Sequence, residues 1–122
     1  MKNSAVSLSG VSTSYSRQRE VPRYTFIAVT EIVESSSQTC ILAKTSKISC
    51  KGCYVETPTP LPVGTSLKIV ISHDQESFTT KGEAIYVNQG SGMGVVFLGP
   101  SDEQLQTLNY WIAEHPSNTD AV

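Results

Sequence analysis

The sequence predicts a mainly β protein, a six-stranded antiparallel barrel followed by one C-terminal α-helix. Three observations carry that expectation. Apolar and polar residues alternate with period two in short segments between Tyr24 and Gly99, as strands with one covered face require. Clusters of Pro, Gly, Asn, Asp and Ser punctuate these segments at regular spacing. After Pro100 the apolar residues recur with a helical period instead. Evenly spaced strands followed by a helix fit a small barrel with the helix on its side or mouth, and closure removes exposed strand edges.

Taken in order, residues 1–16 are rich in Ser and hold only isolated apolar residues, so they predict a flexible N-terminal arm. From Arg17 the chain turns charged, and Pro22 pushes Val21 toward extended geometry. Tyr24 to Val33 predicts the first strand, with Phe26, Ala28, Thr30 and Ile32 on one face. Glu34 to Gln38 is a polar tip, and Thr39 to Thr45 returns as the second strand of a hairpin. A turn at Ser49–Gly52 leads into a short third strand, Cys53 to Thr57, ended by Pro58, Pro60 and Pro62. Thr65 to Ser72 alternates cleanly, with Leu67, Ile69 and Ile71 on one face. A turn over His73–Glu76 follows, and Ser77 to Asn88 predicts a long strand whose Gly82 marks a bulge or tight bend. Met93 to Leu98 is the sixth strand. The helix is expected over 101–115, with Leu105, Leu108, Trp111 and Ile112 on its apolar face and Ser101 with Gln104 as a capping box. Residues 116–122 predict a disordered tail.

A chain of 122 residues has room for one core, and its net charge of −2 excludes a general DNA, RNA or anionic-membrane binder. Met1 to Ser16 holds no sustained apolar stretch, so neither a signal peptide nor a membrane span is expected, and the reading is a cytoplasmic protein. Three cysteines suit a reducing compartment. Cys50 and Cys53 form a CxxC, but Cys40, His73 and His115 lie on different elements and do not complete a zinc set. Cys40 and Cys53 are expected in the core and Cys50 at the surface.

No nucleophile with a base, carboxylate pair or metal set can be assembled, so no catalytic residue, cofactor or metal is assigned and the protein is read as a non-enzyme. Glu31, Glu34, Glu56, Asp74, Glu76 and Glu83 are expected to be solvated, and His73 and His115 structural. The arginines are the exception. Arg19 and Arg23 enter the barrel at its rim, and a guanidinium fork suits phosphate or the O6 and N7 edge of guanine.

Arg19-Glu20-Val21-Pro22-Arg23 and Ser49-Cys50-Lys51-Gly52-Cys53-Tyr54 resemble the two signatures of the PilZ domain family, an RxxxR arm and a turn written (D/N)xSxxG. Gly92-Met93-Gly94-Val95-Val96-Phe97 resembles the family's closing strand, and the resemblance spans roughly Arg17 to Ala113. It implies a PilZ-type barrel over 17–115, made of a ligand arm (17–23), the barrel (24–99) and the helix. It also implies that the domain binds cyclic di-GMP, a bacterial second messenger, and relays the signal to an unidentified downstream protein by changing shape. On that resemblance Arg19 and Arg23 would hold phosphates and guanine edges, while Ser49 and Gly52 would lie against a guanine. Arg17 matches no motif position and is included as a nearby helper. The expected state is a monomer or weak dimer.

The sequence departs from the family pattern at Lys47, where Asp or Asn stands. A lysine has three donors and no acceptor, so one contact to guanine N1–H or N2–H2 is lost. Such a contact is worth about 1–3 kcal/mol, or roughly tenfold to over a hundredfold in affinity. Two expectations follow: a cyclic di-GMP receptor of ordinary or reduced affinity, or a divergent PilZ domain that has lost the nucleotide and acts by contacting another protein. A third, an enzyme using the CxxC, would need thiol-dependent activity or bound metal.

Overall fold

Alternation of buried and exposed residues is clear over Tyr24–Glu34, Ser66–His73 and Glu76–Asn88 of the structure, a computed structural model that describes residues 22–114. The 1–16 arm, Arg17, Arg19, His115 and the 116–122 tail lie outside the described residues. The elements are β1 (Tyr24–Glu34), β2 (Cys40–Ile48), β3 (Gly52–Glu56), β4 (Ser66–His73), β5 (Glu76–Asn88), β6 (Gly92–Leu98) and α1 (Asp102–Ala113). The strands close into a barrel in the order β1-β2-β3-β6-β5-β4, each neighbouring pair antiparallel, with β4 returning to β1. Both the six-stranded barrel and the C-terminal helix match the sequence expectation.

Inward-facing residues fill the barrel, among them Ile32, Val55, Ile69, Ile71, Met93 and Val95, all at most 2% exposed. Two hydroxyls share this apolar interior. Thr30 and Thr45 Oγ1 lie 2.7 Å apart, and Thr30 Oγ1 also accepts from the Thr45 N–H at 3.1 Å. That N–H lies at a register shift in β2, between Thr45 and Lys47, and the threonine satisfies a backbone donor buried beside the irregularity.

β2 runs through Ile48, three residues beyond the expected end at Thr45. Pairing explains the extension: Lys47 and Ile48 are held by Thr25 and Tyr24 of β1 on one side and by Tyr54 and Cys53 of β3 on the other. The β4–β5 hairpin is tighter than the expected four-residue turn, because His73 pairs with Glu76 and only Asp74 and Gln75 lie between. Both adopt positive φ, 52° and 69°, the pattern of a two-residue hairpin whose twist matches the strands. Gly82 is not a bulge. The register shift of β5 falls between Ala84 and Tyr86, whereas a Cβ on Gly82 would meet Val95 Cγ1 and the Val96 carbonyl oxygen at 2.9 Å.

α1 begins at Ser101, whose side chain accepts from the Gln104 N–H at 3.2 Å. The Gln104 side chain has a different task from the reciprocal cap expected of it. Its Oε1 accepts from the Thr79 N–H of β5 at 2.6 Å and so ties the helix to the barrel. Leu108 and Trp111 are buried, and Leu105 and Ile112 pack partly against the core, as the helical period predicted. The Trp111 ring stacks on Phe26 at 5.2 Å and meets Phe78 edge-on at 6.4 Å, while its Nε1 donates to Glu76 Oε1 at 3.2 Å. Phe26 and Phe78 stand near the starts of β1 and β5, so the helix covers that end of the barrel.

Candidate nucleotide site

The Ser49–Gly52 turn joins β2 to β3 and is held by its own atoms. Ser49 N–H donates to the Gly52 carbonyl at 2.8 Å, and Ser49 Oγ accepts from the Lys51 and Gly52 N–H groups at 3.1 and 3.2 Å. The same hydroxyl is within 3.2 Å of the Gly52 carbonyl as donor, and Ser49 is only 6% exposed. A serine is needed here because a short hydroxyl can satisfy two turn donors at once. The turn is anchored outward as well, since Phe97 N–H of β6 donates to the Lys51 carbonyl at 2.8 Å.

Gly52 does not take positive φ. Close approach is the role it has, and the approach is to the protein itself: a Cβ would collide with the Val95 carbonyl oxygen of β6.

Arg23 enters this site by register. It immediately precedes Tyr24, the partner of Ile48, so it stands level with Ser49 at the mouth of the β1–β2 pair, and it is exposed. Lys47 lies two residues before Ser49 in β2, between Thr25 and Tyr54 on the outer face. Arg23, Lys47, Ser49 and Gly52 are therefore brought together at one end of three strands. Arg17 and Arg19 lie outside the described residues.

The outer face beside Lys47 continues as Tyr54, Gly94 and Tyr86, one residue from each of β3, β6 and β5 in register. The two tyrosine rings lie nearly parallel, 24° apart with centroids at 6.1 Å. Bare glycines make the room: a Cβ on Gly94 would fall 2.6 Å from Tyr86 Cζ, and one on Gly92 would fall 2.6 Å from the Tyr54 hydroxyl oxygen. Asn88 Nδ2 donates to that hydroxyl at 3.0 Å. The sequence reading did not single out these tyrosines. The signal available to it was the pair Gly92 and Gly94, whose cause became visible only once β3, β6 and β5 were placed side by side.

The other candidates separate from this site. Cys40 is exposed, not a core residue as expected, because Val33 and Cys40 pair at the turn end of the β1–β2 hairpin. Its Sγ donates to Glu31 Oε2 at 2.9 Å, and that bond to a carboxylate raises the thiol pKa. Cys53 packs against the core, and burial pushes its thiol up to about 12, so the CxxC pairs an exposed sulfur with an inert one. Glu56 is held below the usual carboxylate range, first by a bond from Ser46 and then by Lys44, whose Nζ is 3.4 Å away. Glu76 is exposed, as expected, and also anchors the helix by accepting from Trp111 Nε1. His73 lies between Phe26 at 4.6 Å and Trp111 at 5.7 Å, a structural place. Among the described residues no group of three or more His, Cys, Asp or Glu could hold a metal ion, and no helix is long and apolar enough to cross a membrane.

The family model described as PilZ domain matches residues 17–114, most of the chain. The chain belongs to the PilZ domain family. Three solved structures share the PilZ fold of this chain at low identity. The PilZ domain with c-di-GMP of YcgR from Escherichia coli aligns at a TM-score of 0.68 and 12% identity, covering 82% of this chain and 92% of that one. The PilZ domain of CeSA from a cellulose-synthesizing bacterium aligns at 0.59 and 17%, covering 75% and 95%. The Bacillus subtilis inhibitor of motility MotI/DgrA aligns at 0.65 and 16%, covering 80% of this chain and 50% of that one. The PilZ chain thus spans about half of MotI. No curated protein sequence matches it. PilZ domains form a family of cyclic di-GMP receptors.

Proposed function

We propose that this PilZ domain binds cyclic di-GMP at the outer rim formed by Arg23, Lys47 and the Ser49–Gly52 turn, and relays the signal to a partner protein by conformational change. The observation that carries the reading is the Tyr24↔Ile48 register, which sets the second arginine of RxxxR level with the serine of SxxG. Arg23 would meet a phosphate or a guanine O6/N7 edge through its planar fork, with Arg19 as its companion and Arg17 as a helper. The Lys51 and Gly52 N–H groups are occupied by Ser49, so the turn would offer its shape and outer surface to the base rather than open donors. Lys47 would meet phosphate as a point charge.

A second reading, a PilZ barrel that has lost the nucleotide and serves as a protein-interaction module, is favoured by one observation. Ser49 and Gly52 are each explained by folding alone, through the saturated hydroxyl and the approach to Val95, so their presence does not require a ligand. Isothermal titration with cyclic di-GMP, with GTP as control, separates the two. Micromolar or tighter binding that is lost in Arg23→Ala is the expected result. Absence of binding in the native chain, with binding acquired in Lys47→Asp, would establish the interaction module instead.

A further inference from the structure

On the outer face, Asn88 of β5, Gly92 of β6, Glu56 of β3 and Lys44 of β2 form one row in register, next to the row that holds Tyr86, Gly94, Tyr54 and Lys47. Tyr54 links the two rows. Its ring lies against Gly92, where a Cβ would fall 2.7 Å from Cζ, and beside the nearly parallel Tyr86 ring. Its hydroxyl accepts from Asn88 Nδ2 at 3.0 Å. The amide is thereby held by its nitrogen, and its carbonyl Oδ1 is left without a hydrogen bond among the described residues, on an exposed side chain. The other acceptor on this row, Glu56, is drawn the opposite way, toward Ser46 and Lys44 of β2.

An aromatic ring with a fixed acceptor at its end can read a purine. The ring stacks on any base and carries no preference. The acceptor carries one, because guanine presents the N1–H and N2–H2 donors on its Watson–Crick edge where adenine presents a bare N1. An amide oxygen has two lone pairs and can take both guanine donors. In the family pattern that acceptor is the Asp or Asn that Lys47 replaces. We propose that Asn88 supplies it instead: guanine lies on Tyr54 and gives N1–H and N2–H2 to Asn88 Oδ1, while the phosphates face Arg23 and Lys47. This inference rests on the receptor reading above. Between β2 and β5 lie three strand spacings, roughly 14 Å along the sheet, which leaves room for a base and its sugar between phosphate and amide. Guanine selectivity is thus kept, with its acceptor moved from the turn to β5.

The test is titration of the full chain with cyclic di-GMP, with cyclic di-AMP and with cyclic di-IMP, whose base is guanine without the 2-amino group. Asn88→Leu, Asn88→Asp and Tyr54→Phe are titrated alongside, with melting curves to verify folding. The native chain is expected to prefer cyclic di-GMP over cyclic di-AMP by about tenfold or more, and over cyclic di-IMP by about threefold or more. Asn88→Leu should weaken cyclic di-GMP by about tenfold or more and close its gap to cyclic di-IMP, whereas Asn88→Asp, which keeps an acceptor, should preserve that gap. Tyr54→Phe keeps the ring and loses only the bond to the amide, so it should weaken cyclic di-GMP less than Asn88→Leu does. Equal losses in those two variants would reduce Asn88 to a support for Tyr54 and overturn the inference. Equal native affinities for cyclic di-GMP and cyclic di-IMP, or cyclic di-GMP binding untouched in a folded Asn88→Leu, would overturn it too and leave the receptor reading standing. Binding of none of the three dinucleotides by the native chain overturns both.

Discussion

At Gly52 a single hydrogen in place of a side chain lets β3 lie against β6, because any Cβ would overlap the Val95 carbonyl oxygen. Gly52→Ala should therefore destabilise the barrel by about 1–3 kcal/mol, as overpacking against backbone does, and urea denaturation monitored through Trp111 would measure it. Cys53 makes a pH prediction. Its thiol pKa is raised in the fold by burial, so the folded chain holds a proton that the unfolded chain releases above its ordinary value of about 8.5. That contribution is intact below about 8.5 and is lost as pH rises toward 12; Cys53→Ala should flatten the alkaline decline of the urea midpoint between these limits. A thiol-specific reagent at neutral pH should label Cys50 and leave Cys53 unmodified until the chain unfolds. The glycine and the serine of the turn were legible in the sequence as special positions. Their partners were not, because Val95 and Phe97 are more than forty residues away along the chain.

Between elements, the helix is attached by its buried Leu108 and Trp111, by ring contacts of Trp111 with Phe26, Phe78 and His73, and by two hydrogen bonds that reach the β5 strand. Trp111→Ala should cost about 3–5 kcal/mol, the usual range for emptying a large buried aromatic site. Gln104→Ala should cost about 1–3 kcal/mol by leaving the Thr79 N–H without its acceptor, and hydrogen exchange at that amide should accelerate while the cap residue Ser101 is untouched. The helical period of Leu105, Leu108, Trp111 and Ile112 was plain in the sequence. A side chain such as Gln104 could serve its own helix start or a neighbouring strand, and only docking decided between them. Likewise the alternation in β2 faded after Thr45, since Ser46, Lys47 and Ile48 straddle a register shift, and the strand persists because β1 and β3 pair with it on both sides.

For the whole molecule, closure through the β1–β4 pairing means that no strand among the described residues has an unpaired long edge, so association through edge pairing is disfavoured. Arg23 is exposed and lies before β1, so Arg23→Ala should leave the melting temperature of the ligand-free chain unchanged while removing ligand-induced stabilisation. With cyclic di-GMP at about a hundred times its dissociation constant, binding to the folded state alone adds about 2.7 kcal/mol, a shift on the order of 10 °C for a domain of this size. Differential scanning fluorimetry of the native chain and the variant would read both quantities.

Period-two alternation, proline and glycine punctuation and a terminal helical period were enough to determine a six-stranded barrel with one helix, because each is a local consequence of having one face covered. The order RxxxR then SxxG was likewise local and pointed to the family. What only the tertiary structure decided is how distant positions share a surface: that Arg23 stands level with Ser49, that Gly52 yields to Val95, and that Tyr54 and Tyr86 meet over glycines beside Lys47. Register fixes these relations, and in a closed barrel register is set by the pairing of all six strands together rather than by any one of them.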